Sequence, residues 1–271
     1  MKAYENNLDI FESVFKRSVK HRYEYENFKP DNILIIGHSD QLNMLNAFIS
    51  DYGNKCISFE YNSSFTWVDL KSIIEKEHPD LILIQRHVGI TNEDLTYSVG
   101  PVLESIAQEI NIPVLLLPKE KENLKIETIG IGFDHKIDNS YLVNKALLLR
   151  KSIKNIELIH VEDEAIFKYY IDAIEKIPEI NTELAETKLK ETILELSEDF
   201  FRGVAKDLND NQISTNIHCQ FGETVKCYED IIKEQNIDLL VFEAEDESKM
   251  AMHSLGHSMT IQFPNIATLL V

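Results

Sequence analysis

The sequence predicts an α/β fold built on parallel sheets, and three observations carry that prediction. Short runs at 32–37 (NILIIG), 81–85 (LILIQ), 113–117 (PVLLL) and 237–242 (IDLLVF) are apolar without polar alternation, as strands covered on both faces require. Between such runs lie segments of helical period, about 10 to 15 residues long. The strand–helix rhythm also restarts after the charged stretch Lys119-Glu120-Lys121-Glu122-Asn123. Strands alternating with helices imply parallel pairing through right-handed crossovers. Two series imply two α/β domains, each an open parallel sheet flanked by helices.

Taken in order, residues 1–31 form an N-terminal helical extension. Leu8, Phe11, Val14, Phe15 and Val19 share one side of a helix there, expected to pack on a domain surface. The first domain, 32–119, reads as strand 32–37, helix 41–52, strand 55–61, helix 66–77 with Trp67, Leu70, Ile73 and Ile74 on one side, strand 81–85, helix 95–109 and strand 113–117. The second, 120–271, reads as strand 128–133, helix 139–151, strand 157–161 and a looser helical stretch 166–174. A long helix 183–208 follows, whose Leu189, Ile193, Leu196, Phe200, Val204 and Leu208 form one stripe, expected in the core. Strand 214–220, helix 223–234, strand 237–242, a short helix or turn at 254–262 and strand 267–271 complete it.

The 271 residues are 44% apolar, enough for one large core or two medium ones. Charge narrows the partners: 46 acidic against 27 basic residues give −19, which opposes polyanions and membrane surfaces. Residues 1–119 carry 11 basic and 17 acidic residues and residues 120–271 carry 16 and 29, so acidity concentrates in the second domain. Cys56, Cys219 and Cys227 lack both CxxC spacing and disulfide density and read as reduced thiols. With no basic-apolar leader and no uncharged apolar run near membrane-spanning length, a cytoplasmic location is expected.

The ends of the two series repeat one another. Asp80-Leu81-Ile82-Leu83-Ile84, Ser98-Val99-Gly100 and the strand ending at Leu117 match Asp238-Leu239-Leu240-Val241-Phe242, Ser254-Leu255-Gly256 and the strand ending at Val271. Asp to Ser spans 18 residues in one copy and 16 in the other, so order and spacing both recur.

With these residues the chain resembles the universal stress protein family in a tandem arrangement, and the resemblance implies an adenine nucleotide alpha hydrolase-like fold with five parallel strands per domain. Some members of that family bind ATP or AMP through an Asp after the first strand and Gly-x2-Gly-x9-Gly-Ser/Thr after the fourth. Residues 125–271 look like a full copy: Ile129-Gly130-Ile131-Gly132-Phe133 ends in Asp134, and Gln220-Phe221-Gly222-Glu223 resembles the short glycine turn. Gly256-His257-Ser258 resembles the Gly-Ser/Thr element with a histidine interposed. The resemblance thus marks Asp134, Gly222, Gly256 and Ser258 as cofactor-binding candidates. The first copy lacks the long middle helix and carries Gly37-His38-Ser39 where the Asp belongs.

Both phosphate loops depart from the family. A phosphate cradle needs converging backbone N–H groups, which glycine permits. Where it should stand, the second copy has Glu243-Ala244-Glu245-Asp246-Glu247, which repels a triphosphate unless a divalent cation intervenes. Asp246, Glu243 and Asp134 are hard oxygen ligands for magnesium if folding brings them together, and a solvated acidic loop is the alternative. The first copy has Gln85-Arg86-His87-Val88-Gly89, where Arg86 or His87 would meet an anion if the turn serves a ligand. Asp134 reads either as an adenine- or ribose-side acceptor or as a cap for the helix near Asn139.

No catalytic or metal residues are assigned. His253 and His257 make only half a zinc site, and His218 and Cys219 alternate across a strand. No GxSxG, GxxxxGK[ST] or GxGxxG pattern occurs. The expectation is a stress-related regulatory or scaffolding protein without conventional ATP binding or a resident cofactor. Its alternative is a module for AMP, ATP with magnesium, or a small metabolite. A protein partner is expected, with no nucleic acid and no membrane. Strand 113–117 is expected to pair with 267–271 within the chain, with a homodimer left open.

Overall fold

The computed structural model describes residues 23–26, 28–50, 52–53, 55–62, 65–88, 99–118, 124–134, 139–244 and 254–271. The helix expected around 8–19, the linker 119–123, and Ser98, Gly89, His135, residues 245–247 and His253 lie outside them.

The strands of both series lie in a single nine-stranded sheet. They are β1 (Asn32–Gly37), β2 (Lys55–Glu60), β3 (Leu81–Gln85), β4 (Val114–Leu117), β5 (Thr128–Phe133), β6 (Asn155–Asp163), β7 (Ser214–Gly222), β8 (Leu239–Phe242) and β9 (Ala267–Leu270). Across the sheet they run β2-β1-β3-β4-β9-β8-β5-β6-β7. Every neighbouring pair is parallel except β4 with β9, which is antiparallel. Burial follows position: β3, β4, β8 and β9 are buried at every residue, whereas the edge strand β2 is partly exposed throughout.

Helices cover both faces. Because alternate strand residues point to opposite sides, Ile33, Ile35, Leu83, Leu115, Ile129, Ile131, Leu158 and Leu269 face one layer. That layer holds α1 (Leu42–Ile49), α4 (Ser140–Ala146) and α6 (Thr182–Asp210). Leu34, Ile84, Leu116, Ile159, Leu240 and Leu270 face the other, formed by α2 (Trp67–Glu77), α3 (Pro101–Glu109), α7 (Thr224–Gln235) and α8 (Ser254–Gln262). The remaining helix, α5 (Glu164–Ile174), joins β6 to α6. No helix among the described residues is long and apolar enough to cross a membrane.

The two halves share strand register. Asn32 pairs with Lys55, Ile33 with Leu81 and Ile82 with Val114. Thr128 pairs with Asn155, Ile129 with Leu239 and Leu240 with Thr268. The approach to the third strand is also the same. α2 and α7 each end in a left-handed residue, His78 (φ 45°) and Asn236 (φ 52°), whose N–H returns to Ile74 O and Ile232 O. Two residues later, Asp80 accepts from the N–H groups of Asp31 and Asn32, both at 2.9 Å. Asp238 accepts from Glu127 and Thr128 at 3.0 and 3.1 Å. The halves differ in one block: α5, α6 and β7 have no counterpart between β2 and α2.

The sequence-predicted stripe on α6 is buried over only part of its length. Phe200, Val204 and Leu208 are in the core, while Leu189, Ile193 and Leu196 are half-buried. Small residues, Ala185, Thr192 and Ser197, take the buried positions instead. This 29-residue helix is about 44 Å long, and its nine-residue neighbour β7 about 30 Å, so the sheet is too short to cover all of it.

The N-terminal segment and the turn after α1 both reach the second half. Tyr23 is buried and donates to Asn144 Oδ1 at 2.9 Å, while Asn144 Nδ2 donates to Glu24 O. Tyr52 Oη donates to Ser152 Oγ at 3.0 Å. Asp80→Ala and Asp238→Ala should each strand two backbone donors and lower urea-unfolding stability by similar amounts, about 1–3 kcal/mol. Unequal losses in denaturant titrations would break the equivalence of the two aspartates.

Candidate functional site

In parallel α/β sheets ligands collect beyond the carboxyl ends of the strands, which in the second half is the end of β5 and β8. Asp134 follows β5 directly, and Glu243, the first carboxylate of the acidic stretch, follows β8. Both line one cavity with Gly132, Phe133, Leu142, Phe242 and Leu255. Its volume is about 10 Å³, about the room one water molecule needs.

Protein side chains fill the space around it. A Cβ on Gly132 would sit 2.2 Å from Phe242 Cε1 and 2.5 Å from Tyr228 Oη, so the bare backbone of β5 admits that ring and that hydroxyl. Tyr228 is fully buried, and burial first, then the nearby Asp134 charge, raises the pKa of its phenol. Asn139 begins α4: its Oδ1 accepts from Leu142 N at 3.0 Å, and its Nδ2 donates to Glu243 Oε1. The cap of this helix is therefore Asn139, five residues after Asp134 and directly before the helix, so Asp134 does not cap it. Glu243 is held at the base of the acidic stretch by that amide.

The other glycine candidates take packing positions. Gly256 is the third residue of α8, and a Cβ there would lie 2.8 Å from Glu243 O and 3.2 Å from Phe242 Cβ. Its missing side chain lets α8 approach the end of β8. Ser258 is two residues further along the helix and exposed, within the helix body and past its first turn. Gly222 ends β7 opposite Asp163. At about 4.8 Å per strand, it stands roughly 10 Å from β5, and a Cβ there would meet Cys227 Sγ at 2.5 Å. The structure thus brings Asp134, Glu243 and the first turn of α8 together and leaves Gly222 and Ser258 apart. Among the described residues no group of three or more His, Cys, Asp and Glu is placed to hold a metal ion.

In the first half the equivalent turn meets the other half of the chain. Arg86 is buried, its N–H donates to Leu117 O at 3.1 Å, and its Nη2 donates to Thr260 O at 2.7 Å. Thr260 is in the last turn of α8, where the helix dipole favours a cation. Burial lowers the guanidinium pKa to about 10, leaving it charged at neutral pH. His87 follows in the left-handed region (φ 68°), and Gly100 (φ 104°) precedes Pro101 at the start of α3.

Two polar pairs were not singled out by sequence reasoning. Buried Glu157 accepts from Asn216 Nδ2 at 3.0 Å and lies 2.7 Å from His218 Nε2; a charged residue between the apolar Ile156 and Leu158 was its only signal. His160 Nδ1 lies 3.3 Å from Phe133 O and its Nε2 3.5 Å from Glu162. His218 shares a face with Glu157, whereas Cys219 packs in the opposite layer. Burial raises the Cys219 pKa to about 12, so the thiol is protonated at neutral pH and a poor nucleophile.

No protein-family model and no curated protein matches the sequence. Solved structures share its fold. A candidate universal stress protein from Pseudomonas aeruginosa is 11% identical, with a TM-score of 0.50 over 89% of this chain and 81% of its own. A universal stress protein from Archaeoglobus fulgidus is 14% identical, with a TM-score of 0.50 over 85% of this chain and 74% of its own. At these identities the likeness is one of fold: an α/β sheet flanked by helices in the universal-stress-protein manner.

Gly256→Ala should destabilise the protein by about 1–3 kcal/mol, because the new methyl group meets backbone and cannot be relieved by a side-chain rotation. Denaturant titration without any ligand checks this. Unchanged stability would mean that packing does not require this glycine.

Proposed function

We propose that this chain is a universal-stress-protein-like regulatory or scaffolding protein that acts through protein contacts and does not bind ATP conventionally. We read it as a tandem of two such units, 32–119 and 120–271, preceded by an extension, 1–31. The shared registers and the paired roles of Asp80 and Asp238 support that division. The observation that carries the functional reading is the water-sized cavity beside Asp134, walled by Phe242 and Glu243. An adenine ring needs a slot many times larger, and Glu243 places a carboxylate where phosphates would approach.

A second reading rests on Asp134 itself. It stands at the strand end where the family's adenine-side carboxylate would be, which suits a site for AMP, ATP with magnesium, or a small metabolite. On that reading Asp134 and Gly256 border the ligand, with Gly222 and Ser258 further out. We assign no reaction to either reading, and we expect the protein to work in the cytoplasm.

Calorimetry of the purified chain with ATP, with and without magnesium, should show no binding in the micromolar range. A micromolar dissociation constant that Asp134→Ala abolishes would overturn the first reading and place the site of the second.

A further inference from the structure

Six of the eight large apolar side chains exposed among the described residues fall within 166–184: Ile166, Tyr169, Tyr170, Ile177, Ile180 and Leu184. They lie on α5, the turn after it and the first turn of α6, the block with no counterpart in the first half. Such clustering is unlike the scattered apolar exposure normal for protein surfaces.

The helix α5 explains why. Phe167 and Ile171, four apart, are buried and serve the protein's own packing. Ile166, Tyr169 and Tyr170, at i, i+3 and i+4, form a second apolar stripe that faces out, and Tyr169 is 72% exposed. A helix with two apolar stripes is built to be covered on two sides. The hairpin base is firm: Phe167 packs edge-on against Phe221 at 5.0 Å, and Lys190 Nζ lies 5.3 Å from the Phe167 ring centroid. Asp163 and Asn181 cap the two helices.

Charge selects the occupant. Residues 164–188 contain six acidic side chains (Glu164, Asp172, Glu175, Glu179, Glu183, Glu186) and three basic ones (Lys168, Lys176, Lys188). Two such faces brought together would repel one another, as would this face and an anionic membrane. The backbone is helical on both arms and offers no strand edge, so an extended peptide gains no ladder here; side-chain packing between helices is the available mode. We propose that this face docks a basic amphipathic helix of a partner protein, apolar side inward and lysines or arginines toward the acidic rim. The proposal rests on the scaffolding reading, and it names the surface on which that role depends.

A fluorescein-labelled synthetic helix of leucine and lysine at amphipathic spacing, titrated into the full chain and followed by anisotropy, tests it. Binding is expected, weakening as salt rises and falling about tenfold or more in Tyr169→Ser/Leu184→Ser. The same peptide with glutamate for lysine should not bind. Both substituted residues are exposed, so circular dichroism should show the variant folded as the parent. Equal binding by the variant, or by the glutamate peptide, would overturn the proposal. So would a dimer in light scattering that the variant dissociates, which would make a second copy the occupant. Amide protection of residues 8–19 that the variant abolishes would overturn it in favour of the chain's own extension. None of these outcomes bears on ATP calorimetry, so failure here leaves the nucleotide-independent reading standing or falling on that separate measurement.

Discussion

The antiparallel contact between β4 and β9 is the constraint on which the rest of the molecule depends. Both strands are buried at every residue, and either one alone would be an apolar edge open to pairing with any other chain. Joining them removes both edges at once. The pairs are Val114 with Leu270, Leu115 with Leu269 and Leu116 with Thr268. By the shared register, Val114 is equivalent to Thr268 and Leu116 to Leu270. The contact is thus self-complementary about Leu115 and Leu269, as the interface of a two-fold dimer is. Three residue pairs supply few hydrogen bonds; the strength comes from the two apolar layers that run unbroken across the seam.

That geometry also sets where function can reside. With the halves antiparallel, their strand ends point to opposite edges of the sheet, so the two crevices cannot merge into one site. The first is bridged from the other half, since Arg86 reaches the last turn of α8. In the second, Gly132, Phe242 and Tyr228 interlock beneath Asp134. Among the described residues the turn at each strand end thus takes part in packing, and the α5–α6 hairpin belongs to a block that one half alone carries.

How much of this was legible in the sequence depends on whether a residue's role is local. The central strands were legible because burial on both faces demands uninterrupted apolar runs, as in Leu81–Gln85 and Leu239–Phe242. The order of elements followed from period. Site glycines were not legible: Gly256 has the same sequence signature whether it leaves room for a phosphate or for Glu243 O, and only the approach of α8 to β8 distinguishes the two. The stripe on α6 was read as uniformly core because periodicity records which side is apolar, not how far the neighbouring sheet extends. Asn139 was missed as the holder of Glu243 because that partnership spans 104 residues.

The acidic stretch after β8 acquires a different meaning from this packing. If the carboxylates alone shaped this strand end, the crevice beneath them would stand open. Instead Phe242, the residue immediately before Glu243, turns its ring into the space that Gly132 leaves open, and the cavity that remains holds about one water. The aromatic ring fills volume and the carboxylate brings charge, and the two stand at adjacent positions on one strand end. The ring belongs to the core of the second half and the carboxylate stands half-buried beside it, so the filling of this strand end is a matter of core packing before it is one of charge.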